Sequence, residues 1–154
     1  MAIDKLHIKP FAELSAAELL GIIEAREEVF YLEQHITEVD ADECDLHSVH
    51  LWIRREGRVA AYARVIPAGV HYPEASIGRL LCRSEYRRQG LANKIMDAAL
   101  EYIVGRLHEQ SIRISAQSYL VPYYTAKGFR CISEPYLEAG ISHRAMLYEA
   151  PSPR

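Results

Sequence analysis

The sequence predicts an α/β fold in which one mixed sheet carries helices packed on it. Three observations point there. Short apolar or alternating segments, bounded by Gly, Pro and charged residues, read as strands. Two longer segments repeat their apolar residues at helical spacing, and strands and helices then alternate along the chain. The 154 residues are 49% hydrophobic and 25% charged, the balance of an ordinary globular domain. The expected division is one domain over residues 1–150 and a frayed tail at 151–154.

Residues 6–11 suit a first short strand. Ser15 can cap the free N–H groups of a helix start, and Glu18 stands where a capping box needs it. Leu19, Leu20, Ile22, Ile23, Val29 and Phe30 give that helix a broad apolar face to about Tyr31. Residues 33–46 carry Glu38, Asp40, Asp42, Glu43 and Asp45 and read as a solvated acidic loop. A hairpin follows, with strands at 49–54 and 59–66 around the turn Glu56-Gly57. A strand at 76–82 leads to a long helix at 90–107, with Leu91, Ile95, Met96, Ala99, Leu100, Ile103 and Leu107 at helical spacing. A strand at 112–116, a short helix at 120–127 stopped by Gly128, and strands at 129–133 and 143–148 complete the order.

Bulk properties exclude several functions. A net charge of −3 supplies no field to draw the chain onto nucleic acid or an acidic membrane. Cys44, Cys82 and Cys131 are an odd, widely spaced set, which reads as free thiols in a reducing compartment. The opening MAIDKLHIKP lacks the apolar core of a secretion signal, and no apolar run approaches the ~20 residues that span a bilayer. The expectation is a cytoplasmic, soluble protein that binds neither nucleic acid nor membrane.

The most informative stretch is SIGRLLCRSEYRRQGLANKIM, residues 76–96. An apolar strand runs into a turn, and the turn into a long helix. Gly90 removes a Cβ where the chain must approach a ligand, and Ala92 is nearly as small. The unpaired N–H groups and dipole of the helix start, with Arg87 and Arg88 beside them, suit a pyrophosphate. The Gly-Lys-Ser/Thr ending of a P-loop and the G-x-G-x-x-G dinucleotide turn are both absent.

Here the sequence resembles the GNAT superfamily of N-acetyltransferases. Arg87-Arg88-Gln89-Gly90-Leu91-Ala92 is similar to that family's cofactor signature, Gln/Arg-x-x-Gly-x-Gly/Ala. Tyr123-Tyr124-Thr125-Ala126-Lys127-Gly128-Phe129 resembles its second motif, and the element order matches throughout. The stretch from Arg26 to Gln34, the segment Glu38-Val39-Asp40-x-x-Glu43, Ile77-Gly78-Arg79 and Gly140-Ile141-Ser142-His143 look like the ElaA-like branch, although Ser142 sits where a Pro is common. The resemblance implies a mostly antiparallel sheet with splayed fourth and fifth strands and helices on both faces. It also implies acetyl-CoA as cosubstrate, an amine acceptor, no metal, and a fold that commonly forms homodimers.

The same resemblance distributes roles. Backbone at Leu80, Leu81 and Cys82 pairs with the pantetheine arm, and an N–H near Leu81 polarises the thioester carbonyl. Amides of Gln89, Gly90, Leu91 and Ala92, helped by Arg87 and Arg88, hold the pyrophosphate, and Gln117 touches the arm. Tyr124 occupies the position of the general acid; on helix position alone it reads as a core aromatic. Glu33, His50 and His143 are the candidate bases. Glu33 reads equally as a solvated helix-end carboxylate, His50 as a strand histidine satisfied by hydrogen bonds, and His143 equally as either.

Several alternatives stay open. Cys82 and Cys131 as nucleophiles would give an acyl-enzyme route, but they read better as small buried strand residues. Arg64 and Arg79 fall on successive strands and suit either a substrate carboxylate or pairing with Glu residues. Asp40-x-Asp42 lacks the Gly and distal Glu of a Ca²⁺ loop. An acyl-CoA-binding regulatory module without turnover is the competing function.

Overall fold

The computed structural model describes residues 4–152. Strand β1 (Leu6–Pro10) is followed by helix α1 (Ala16–Arg26) and a short helix α2 (Cys44–His47). Strands β2 (Val49–Arg55), β3 (Arg58–Ile66) and β4 (Ser76–Cys82) precede helix α3 (Leu91–Glu101). Strand β5 (Ser111–Gln117), helix α4 (Val121–Ala126) and strands β6 (Phe129–Cys131), β7 (Tyr136–Glu138) and β8 (Ile141–Glu149) complete the chain. In the tail Pro151 and Ser152 carry no regular structure, and positions 153–154 lie outside the described residues.

Local chemistry accounts for the first helix. The Ser15 hydroxyl accepts from the Glu18 N–H at 3.0 Å, and the Glu18 carboxylate accepts from the Ser15 N–H at 2.9 Å, so the capping box is closed in both directions. The helix does not stop at Tyr31. It continues as a wider π turn over Glu27–Glu33, and the Gln34 N–H bonds to the Val29 carbonyl at 3.0 Å. The long helix likewise relaxes into a π turn at Tyr102–Arg106.

Two antiparallel ladders form, in the orders β1-β2-β3-β4 and β5-β8-β6, with β7 added on β8. They meet at one parallel bridge, Ala75 with Ile112, where the Arg113 N–H donates to the Ala75 carbonyl at 2.8 Å. Beyond that bridge no ladder joins β4 to β5, so the two strands splay. The two segments missed from sequence are α2 and β7; β7 is three exposed residues long and offers no apolar pattern.

β3 is buried on both faces, as a strand covered by helices must be. Ala61, Ala63 and Val65 face Leu91, Ile95, Met96 and Ala99 of α3. Tyr62 faces Ile22, Ala25 and Val29 from the α1 side. Each fully buried Ile or Met there contributes about 1.5–3 kcal/mol. The core thus fixes the sheet at the point where β4 and β5 part.

Candidate active site

β4 carries a bulge. Its Gly78 pairs with Arg64 and its Leu81 with Tyr62, so β4 holds one more residue than β3 over the same stretch. Arg79 sits in the bulge with φ +55°. The bulge and the splay leave the 80–82 edge of β4 without a strand partner on the β5 side. An extended ligand arm with amide groups can pair with such an edge.

The chain then turns through Arg87 to Gly90. Arg88 (φ +64°) and Gly90 (φ +79°) are both left-handed, and α3 starts at Leu91. The first amide bonded inside the helix is that of Lys94, to the Gly90 carbonyl at 3.1 Å. The amides of Leu91, Ala92 and Asn93 therefore remain free for a ligand. They border a hollow of about 300 Å³ that Cys82, Arg87, Arg88 and Gly90 also line. The Arg87 Nε donates to the Cys82 carbonyl at 2.9 Å, and its Nη atoms reach the Glu33 carboxylate at 2.7 and 2.8 Å. The Gln89 side chain accepts from Arg55 at 2.7 Å. Burial pushes the Cys82 thiol up, which disfavours the thiolate a nucleophile needs.

A larger cavity, of about 620 Å³, is lined by other residues of β4 and β5. Leu80, Gln117, Tyr124 and His143 line it together, although they come from four different elements. Tyr124 is 9% exposed and packs edge-on against Tyr123 and Phe129. Its hydroxyl makes no side-chain hydrogen bond among the described residues, whereas the Tyr123 hydroxyl donates to Asn93 at 2.8 Å. Burial pushes the Tyr124 phenol well above its ordinary value of 10, so it keeps its proton. Gln117 donates to the Gln34 side chain at 3.1 Å.

His143 is 5% exposed. Its Nδ1 lies 2.7 Å from the Ile141 carbonyl, which can only accept, so the neutral ring carries its hydrogen on Nδ1. That leaves the lone pair on Nε2, 3.4 Å from a Glu138 carboxylate oxygen.

The acidic loop differs from its expected form. Asp40, Asp42 and Asp45 are not a solvated run; they are bound by three arginines. Arg26, 2% exposed, holds Asp45 at 2.7 and 3.2 Å and Asp40 at 2.7 Å. Arg64, 4% exposed, holds Asp42 at 2.6 and 3.0 Å and shares Asp45 at 2.9 Å. Arg79 reaches the Asp40 carbonyl at 2.9 Å. Arg64 and Arg79 therefore pair with aspartates, not glutamates, and form one wall of the cavity. His50 is spoken for within the same cluster. Its Nε2 faces the Asp45 carbonyl at 3.0 Å, so its Nδ1 accepts from the Tyr62 hydroxyl at 2.7 Å.

The structure brings Tyr124, His143, Gln117 and Leu80 to one cavity, and Cys82, Arg87, Arg88, Gly90, Leu91 and Ala92 to a second, smaller hollow. Glu33 joins the second group through Arg87 and does not line the cavity. Sequence reasoning missed Glu138 beside His143, which lies in the unrecognised β7. It also missed Arg26, whose signal was present: a charge four residues after Ile22, inside the apolar face of α1.

Known proteins share this fold. The family model "Acetyltransferase (GNAT) domain" matches residues 12–150. A UPF0039 protein of Schizosaccharomyces pombe is 36% identical over 143 residues, 92% of this chain and 94% of the relative. The crystal structure of an acyl-CoA N-acyltransferase from Pseudomonas aeruginosa superposes with a TM-score of 0.88 at 32% identity, covering 94% of this chain and 99% of that one. The crystal structure of Escherichia coli ElaA gives 0.89 at 26% identity, over 96% and 100%.

Proposed function

Because the chain belongs to the GNAT acetyltransferase family, we propose that it transfers an acetyl group directly from acetyl-CoA to a primary amine. One observation carries this reading. Tyr124 and His143 converge on a single cavity that Leu80 of β4 lines, and the amide-lined turn for a pyrophosphate borders a hollow that Cys82 of the same strand lines. The residues present fit the donor: a free strand edge for an amide-rich arm, free helix-start amides with Arg87 and Arg88 for phosphates, and Gln117 in the cavity wall.

Each residue then has a task. The Leu81 region of β4 presents backbone to the thioester carbonyl. His143 Nε2 takes a proton from the acceptor, either from the ammonium before attack or from the amine nitrogen as its bond to the thioester carbon forms, and Glu138 lies beside the ring that receives it. Tyr124 hands its proton to the departing sulfur. Glu33 acts on the donor side, by orienting Arg87. The charge inventory supports a cationic acceptor. Three arginines of the cavity wall are balanced by Asp40, Asp42 and Asp45, while Glu27, Glu38 and Glu138 also line the cavity and have no arginine or lysine partner among the described residues.

A thiol-release assay with acetyl-CoA across a panel of primary amines tests the proposal. Amine-dependent release is expected; CoA binding with no release for any amine would leave a binding module. His143→Ala is expected to lose about 10²-fold or more in kcat/KM. Added imidazole restores part of that rate if the ring is the base, and leaves it unchanged if His143 is structural.

A further inference from the structure

We propose that Arg79 is a positioning residue that locks the β4 bulge, so that the acidic loop and the acyl-CoA edge form one mechanical unit. This rests on the reading that backbone at 80–82 receives the acyl-CoA arm.

The bulge puts one residue of β4 in the left-handed region. A bulge of that kind ordinarily takes glycine there, because a Cβ clashes with the neighbouring carbonyl. The chain does have a glycine nearby, but at position 78, where a Cβ would stand 3.7 Å from Arg64 Nε and where no positive φ is required. The left-handed position itself is Arg79, φ +55°. Left to itself, a residue with a Cβ populates this conformation roughly tenfold less than glycine.

The Arg79 side chain supplies the compensation. Its Nη2 donates to the Asp40 carbonyl at 2.9 Å, and its Nε lies 2.8 Å from Asp40 Oδ1 as an ion pair without an aligned hydrogen bond. Asp42 Oδ2 is 3.5 Å from Nη2. Asp40 is fixed in turn by Arg26 of α1, and Asp42 by Arg64 of β3. The bulge is thus tied through the acidic loop to α1 and to β3. The next residues, Leu80 and Leu81, take their backbone direction from it, and they are the ones that meet the acyl-CoA arm.

Two substitutions separate this role from a direct contact with the acceptor. Arg79→Ala removes the tie and keeps the Cβ; Arg79→Gly removes both. CoA affinity, measured by calorimetry, is expected to fall roughly tenfold in Arg79→Ala and to stay within about twofold of wild type in Arg79→Gly. Equal affinities in the two variants overturn the proposal, whether both fall or neither does. If Arg79→Ala does not fold, Asp40→Asn serves instead. It is expected to weaken CoA binding several-fold in the wild-type background and not in Arg79→Gly, and an equal loss in both backgrounds overturns the proposal. A wild-type protein that binds no CoA overturns the acyl-CoA reading itself, a result distinct from either outcome.

Discussion

Asp45→Ala is expected to lose about 3–5 kcal/mol of stability at neutral pH, read as a drop in the urea midpoint with an unchanged slope. Asp45 is the shared anion of two nearly buried guanidiniums, those of Arg26 and Arg64, and its other oxygen accepts from the Asp42 N–H at 3.0 Å. Removing it leaves Arg26 with Asp40 and Arg64 with Asp42, one positive charge of the nearly buried cluster uncompensated, and frees the loop that Asp42 helps to fold. The cost comes from that uncompensated charge. The intact cluster need not add net stability, because burying its ions was itself expensive. A loss under about 1 kcal/mol would show that the loop rearranges to rehydrate the arginines.

The same residue gives a pH prediction. Burial raises the Asp45 carboxyl, but hydrogen bonds from Arg26 outweigh it and hold the group at about 2, below the ordinary 3.8. A folded value below the unfolded one means a contribution fully present above about pH 4 and lost as the pH falls toward 2. The shift corresponds to about 2 kcal/mol. The stability gap between wild type and Asp45→Ala should therefore narrow between pH 4 and 2.

What could be read from the sequence was what is written locally. The capping box, the hairpin turn and the strand–turn–helix around Gly90 each involve residues a few positions apart. Their backbone demands show directly in residue type. The acidic-loop wall of the cavity was largely invisible. Asp45 meets Arg64 across 19 positions and Asp40 meets Arg79 across 39, so the acidic run looked solvated because its cations lie in other elements. β7 was missed because pairing with β8, not its own apolar pattern, makes it a strand. With β7 went Glu138, and hence the carboxylate that stands beside His143 Nε2.

Tyr124→Phe should lower kcat by about 10²–10³-fold while CoA affinity and melting temperature stay near wild type. The hydroxyl makes no side-chain hydrogen bond among the described residues, so its removal strands no partner, and the ring keeps its edge contacts to Tyr123 and Phe129. A residue that served only the core would behave differently: losing one oxygen from a packed ring would change the rate little. The raised phenol value poses a question of driving force, since a weaker acid donates less readily. The answer lies in the shared environment. The burial that disfavours phenolate also disfavours a thiolate leaving into the same cavity, so the two values rise together and the transfer stays matched. An aryl thioester, whose thiolate departs without needing a proton, should react at nearly equal rates with wild type and Tyr124→Phe. A deficit as large with the aryl thioester as with acetyl-CoA would make Tyr124 a packing residue and leave protonation of the sulfur to water.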